Sequence, residues 1–151
     1  MEMILSILSL VIALAAFFFS VWQFFAERSR SRREATIHAF DELEEAVFAD
    51  DAYKELSFGD DALSYALSEK GERHTATLAL SRIEHFAVGV NSGIYDIRTL
   101  NRMAGGFILE EYARWTPVIE TKRRRDPDRL HYDEFEKLCR HLSRLRRKKA
   151  R

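Results

Sequence analysis

Hydrophobic and polar positions along this chain follow two patterns, an unbroken apolar run and then helical periodicity. Residues 3–26, MILSILSLVIALAAFFFSVWQFFA, contain no charged residue. At 1.5 Å per residue the run makes a helix about 36 Å long, enough for a hydrocarbon core of about 30 Å with some tilt. Polar residues dominate from Glu27 onward, yet Ile37, Phe40, Leu43 or Glu44, and Val47 keep helical spacing with no Gly or Pro between them. The helix is therefore predicted to leave the membrane unbroken and to end near residue 49, about 70 Å from its start.

The rest of the chain also carries helical spacing. Only two prolines and six glycines interrupt it, and period-two runs of β-branched residues are missing. Ser57–Asp61 reads as a loop in which Asp60 or Asp61 caps a short helix through Ser68, with Gly71 as punctuation. A longer helix to about Asn91 presents Ala76, Ala79, Leu80, Ile83, Phe86, Ala87 and Val90 as its core face. Gly93 is predicted to take a left-handed conformation after it, and Asp96 to cap the next helix. That helix places Ile97, Leu100, Ala104, Phe107, Ile108 and Glu111 on one side, with Gly105-Gly106 inside it as a crossing point for another backbone. Pro117 kinks it or starts a new turn. After a loop at Arg125–Asp128, a last helix carries Phe135, Leu138, Leu142 and Leu145. The fold class is all-α: an N-terminal transmembrane helix (residues 1–27) continues as a juxtamembrane stalk (28–49) into a helical cytoplasmic domain (50–151).

Charge sets the topology. A signal peptide has a basic start and a short apolar stretch. Here the start is Met1-Glu2, and the cluster Arg28, Arg30, Arg32 and Arg33 lies after a long run. Flanking Lys and Arg mark the cytoplasmic side, so the N-terminus is expected outside and the soluble part in the cytoplasm, at an inner membrane. Within the span, Ser6, Ser9, Ala13, Ala16, Ser20 and Gln23 recur in steps of three and four, ending at Glu27. Small residues let helices approach in lipid and a polar one bonds across them, so this face is expected to associate with copies of itself or with a membrane partner.

Net charge is zero, 24 basic against 24 acidic residues, but the two signs are segregated. Residues 41–61 hold nine acids and one base, and residues 122–151 hold thirteen bases and five acids. The basic tail has three expected partners: anionic lipid, the acidic stretch, or nucleic acid. Nucleic acid is disfavoured because no recognition motif or stacking platform accompanies the tail. The single cysteine, Cys139, excludes an intrachain disulfide and sits among core leucines, so a buried, inert thiol is expected.

The best polar constellation is Glu84, His85, Asp96, Asn101 and Arg102. The turn at Gly93 is expected to bring Glu84 near Arg102 or Arg98, as a ligand-binding groove or, the favoured reading, as a network that fixes two helices. Five separated histidines offer no H-E-x-x-H pattern or i, i+4 pair, so no metal site is expected. No phosphate loop or nucleophile elbow occurs, and no cofactor, small-molecule substrate or catalysis is expected.

The stretch 82–125 carries Glu84-His85-Phe86-Ala87-Val88-Gly89, Gly93-Ile94-Tyr95-Asp96, Asn101-Arg102-Met103-Ala104-Gly105 and Trp115 with Pro117-Val118-Ile119. With the N-terminal span and the final helix, this resembles a widespread bacterial family of short membrane-anchored helical proteins, a domain of unknown function. The resemblance implies the architecture and brings no activity. The expected function is association, as an oligomeric scaffold or regulatory adaptor. The alternative is a membrane-perturbing effector of stress or phage response, which would depolarise cells on induction.

Overall fold

The computed structural model describes residues 2–51, 53, 54, 72–127 and 131–149. Among these it is all-helical. Helix α1 runs Glu2–Leu43 and continues through one π-helical turn, Glu44–Phe48, so the apolar run and the stalk form a single rod. The others are α2 (Glu72–Asn91), α3 (Ile97–Met103), α4 (Gly105–Arg125) and α5 (Asp133–Lys149). The predicted loop at Ser57–Asp61, its cap, the short helix through Ser68 and Gly71 lie outside the described residues.

Helix directions follow from individual contacts. The stalk meets the α2–α3 loop at Thr36, where Asp96 N donates to Thr36 Oγ1 at 2.7 Å. Further along α1, Phe40 meets Phe86 edge-on, and Arg82 Nη1 donates to Ala46 O at 2.7 Å. The stalk thus runs antiparallel to α2. Helix α5 runs antiparallel to α4, because Tyr112 faces Phe135, Cys139 Sγ faces Ile108 O and Arg146 lies over Gly105. It runs parallel to α2. Glu84 sits behind the first N–H groups of α5 and Asn91, two turns on, reaches the Glu134 carbonyl ahead of them.

All seven predicted core positions of α2 are buried, as are Phe135, Leu138 and Leu142 of α5. Trp115, Val118 and Ile119 complete the centre from α4. Each is spaced to bring its side chain onto one helix face, and burying that stripe is the main stabilising term.

Two expectations are corrected. Ile37 is 42% exposed, and its neighbour Thr36 is fully buried in its place. One residue is a 100° rotation on a helix, and the threonine takes the inner face because its hydroxyl donates to Arg32 O and accepts from Asp96 N. Gly105-Gly106 is not inside a continuous helix. The chain breaks at Ala104 (φ −135°), α4 starts at Gly105, and the groups that come close are side chains, Asn101 at Gly105 and Arg146 at both glycines. Pro117 lies within α4, which continues through it to Arg125.

Gly93 has φ +78° and ends α2, with Ser92 N bonding Val88 O and Ile94 N bonding Gly89 O. Gly89 serves close approach: a Cβ there would run into the Tyr95 ring, which stacks on Phe86 at 5.5 Å between centroids. The half-buried ring would have to give up its stacking on Phe86 to admit the methyl group. Gly89→Ala is expected to cost about 1–3 kcal/mol, as overpacking does. A urea unfolding midpoint unchanged from wild type would refute this contact.

Candidate functional site

The sequence-predicted polar residues separate into three places. Asp96 lies at the junction of stalk and bundle. Its Oδ1 accepts from Thr99 N at 2.7 Å and caps α3. Partial burial pushes its pKa up, but the Thr99 bonds and the Arg32 and Arg33 charges outweigh this and hold the carboxyl below the ordinary aspartate value. Arg32 is turned into this junction, where Nη2 reaches Tyr95 O at 3.4 Å and Nε is buried without a partner. The other stalk arginines, Arg28, Arg30 and Arg33, are exposed, with Arg30 paired to Glu34 at 2.9 Å.

Glu84 does not meet Arg102 or Arg98. Its two carboxylate oxygens accept from Glu134 N at 3.0 Å and Phe135 N at 2.8 Å. A side chain from α2 thereby satisfies the open end of α5, where backbone N–H groups have no intrahelical partner and the helix dipole favours negative charge. Asn91, one heptad further on the same face, donates through Nδ2 to Glu134 O and Glu134 Oε2. His85 is exposed beside a shallow cleft of about 260 Å³ shared with Arg82, Phe86 and Tyr95. Asn101 sits under Arg146 with Oδ1 buried and unpartnered, and Arg102 is exposed. These five residues do not converge on a common atom, and Glu84 acts as a structural tie.

A constellation that spacing did not reveal lies at the end of the stalk. Glu111 is only 2% exposed. Its Oε2 accepts from the Tyr53 hydroxyl at 2.5 Å and its Oε1 from Arg114 Nη1 at 2.7 Å. Trp115 Nε1 donates to the same Tyr53 oxygen at 2.8 Å. Burial first, then the Glu111 contact, push the Tyr53 hydroxyl pKa well up, so it stays protonated and donating. The signal in the sequence was Glu111 at a core-facing position, since a buried acid demands donors. Its partner Tyr53 is 58 residues away, and no local spacing marks it. A cleft of about 270 Å³ opens beside the network, edged by Phe48, Lys54, Phe107 and Glu110.

A second unanticipated tie closes the α4–α5 loop. Arg123 donates to His131 O, Glu136 and Asp133 at 2.8–2.9 Å. Lys122 Nζ donates to Thr77 Oγ1 and the Tyr132 hydroxyl. Tyr132 has φ 60°, an uncommon conformation for a bulky side chain, and these bonds hold it at the entrance to α5. Cys139 is buried, and burial with the nearby Glu136 charge pushes its pKa up to about 12, so the thiolate is scarce at neutral pH. Among the described residues no group of three His, Cys, Asp or Glu side chains is placed to hold a metal ion.

The apolar half of α1 stands apart from the bundle. It is long and apolar enough to cross a membrane, and none of its apolar window is buried within the chain. Ser6 lies on this helix. Ser9, Ala13, Ala16, Ser20 and Gln23 are exposed along it, with Ser20 Oγ bonded back to Ala16 O at 2.9 Å.

No curated protein and no solved structure matches the chain. A family model does, over residues 10–142, from the apolar helix through most of α5. The chain belongs to the family described as a domain of unknown function, DUF4760.

Proposed function

We propose that the chain is a single-pass protein of the bacterial inner membrane, N-terminus outside and bundle in the cytoplasm, that acts by association as an oligomeric scaffold or regulatory adaptor. The observation that carries this reading is the exposure of the apolar half of α1. Leu10, Val11, Ile12, Phe17, Phe18, Phe19, Trp22, Phe24 and Phe25 are each 55–67% exposed, so among the described residues nothing covers them, and lipid or other chains would. Continuity supports a retained span over a cleaved leader. The same helix that carries the apolar run supplies Thr36, Phe40, Leu43 and Val47 to the bundle core.

The polar groups of the bundle favour association over chemistry. Glu84 and Glu111 each satisfy donors on another element, and Asp96 caps its own helix while its backbone N–H bonds the stalk. In the span, one helix face lacks bulky side chains, which permits close packing in lipid. The full chain purified in detergent is expected to scatter light as a multiple of its 17.6 kDa monomer. Ala13→Leu with Ala16→Leu should shift that mass toward the monomer by crowding the face. A strictly monomeric wild type removes self-association.

A further inference from the structure

Helix α5 carries its charges in order. Asp133, Glu134 and Glu136 open it, and Arg140, Arg144, Arg146, Arg147 and Lys148 close it. The acidic start is used inside the fold, against Arg123 and Asn91. Arg140 pairs with Glu136 at 3.0 Å, whereas Arg144, Arg146, Arg147 and Lys148 form no ion pair among the described residues. A helix C-terminus favours cations near its last turn, but that effect fades within one turn and does not account for a basic face that starts at Arg140.

The direction of α5 gives these charges a place. α5 is parallel to α2, and α2 ends where Asp96 meets Thr36 and Tyr95 meets Arg32. Arg146 continues past that level to lie over Gly105 and beside Asn101. The basic end of α5 is therefore at the same end of the bundle as Arg28–Arg33, where α1 leaves its apolar run. The acidic residues Asp41, Glu42, Glu44 and Glu45 lie at the other end of the stalk, away from that run. Arg140, Arg144 and Arg147 are spaced four and three apart on one face of α5. They rim a groove of about 380 Å³ between α4 and α5, floored by Leu109, Tyr112 and Cys139, with Glu136 at its side already neutralised by Arg123 and Arg140.

We propose that this face, Arg140, Arg144, Arg147 and Lys148, docks on the anionic phospholipid headgroups of the leaflet from which α1 emerges, holding the bundle against the bilayer. The proposal rests on α1 being the span. Arginine pairs with phosphate oxygens in a forked geometry, and a mixed apolar and arginine groove suits a headgroup with the start of its acyl chain. Nucleic acid fits less well. Phe135 of α5 is buried, and Tyr112 on the groove floor is half-buried and packed edge-to-face against it, so neither ring offers the open face that base stacking needs.

The test uses the full chain in lipid nanodiscs, one set of phosphatidylcholine and one containing phosphatidylglycerol, read by hydrogen–deuterium exchange. Co-elution of the chain with discs after detergent removal tests the span separately. Amides of residues 140–149 are expected to exchange at least about threefold more slowly in the anionic discs, with the gain lost at about 0.5 M salt as screening sets in. Arg144→Glu with Arg147→Glu and Lys148→Glu should abolish the difference. Arg144→Gln with Arg147→Gln, which tests the same face with less disturbance, should reduce it. Equal exchange in both discs from a chain that co-elutes overturns the proposal. So does protection produced by a short RNA in neutral discs but not by phosphatidylglycerol.

Discussion

Tyr53→Phe is expected to destabilise the bundle by about 3 kcal/mol, although it deletes a single oxygen atom. That oxygen accepts from Trp115 Nε1 and donates to Glu111 Oε2. Its loss strands an indole N–H and one oxygen of a carboxylate that is 2% exposed. An unsatisfied buried polar group costs about 1–3 kcal/mol, and a charged one more. Arg114 tempers the effect, because its side chain is 34% exposed and keeps its bond to Glu111 Oε1. Urea unfolding of the full chain in detergent, followed by the change in tryptophan fluorescence as buried Trp115 becomes exposed against the constant signal of Trp22 in the apolar run, measures the cost. Tyr53→Phe with Glu111→Leu removes donor and acceptor together, so it should recover more than half of the loss. A single variant within about 0.5 kcal/mol of wild type, the range of ordinary surface substitutions, would mean that the network is not closed in solution.

What the sequence disclosed and what it withheld divide along the range of the interactions. The core faces of α2 and α5 were legible because burial imposes a period that a few consecutive residues display. Gly93 and Asp96 were legible because a left-handed helix end and an N-cap are made by backbone atoms within a few positions. The continuation of α1 past the apolar run was legible from the missing break. Thr36 was not, because its advantage over Ile37 lies in an N–H sixty residues away. The break at Ala104 was hidden because two glycines inside a helix and two at its start look alike without knowing what lies over them. Glu84 was singled out for its charge and given a side-chain partner. Its actual partners are the backbone N–H groups of residues 134 and 135, which every residue but proline owns and no sequence pattern advertises. The Tyr53–Glu111 pair was withheld for a related reason: a buried acid signals a need for donors without saying which distant residue meets it.

Glu84→Ala should cost about 2–3 kcal/mol, more than a typical N-cap deletion, because it removes two bonds and a charge from one helix end. Alanine leaves Glu134 N and Phe135 N without their acceptor at a partly buried interface. Glu84→Gln keeps one good acceptor oxygen and should lose less than half as much. Asn91→Ala removes the donor to Glu134 O on the far side of the same turn. Because both side chains act on residue 134, the double variant should deviate from additivity by about 0.5–1 kcal/mol. Hydrogen exchange distinguishes this local tie from general weakening: the first turn of α5 should lose protection before α2 does. Uniform loss across both helices would show that Glu84 contributes only to global stability. The consequence reaches beyond the bundle core. Glu84 and Asn91 fix the direction of α5 relative to α2, and that direction brings Arg144, Arg147 and Lys148 level with the stalk arginines. Glu84→Ala should therefore weaken the lipid-dependent protection of residues 140–149 without altering any of the charges that produce it.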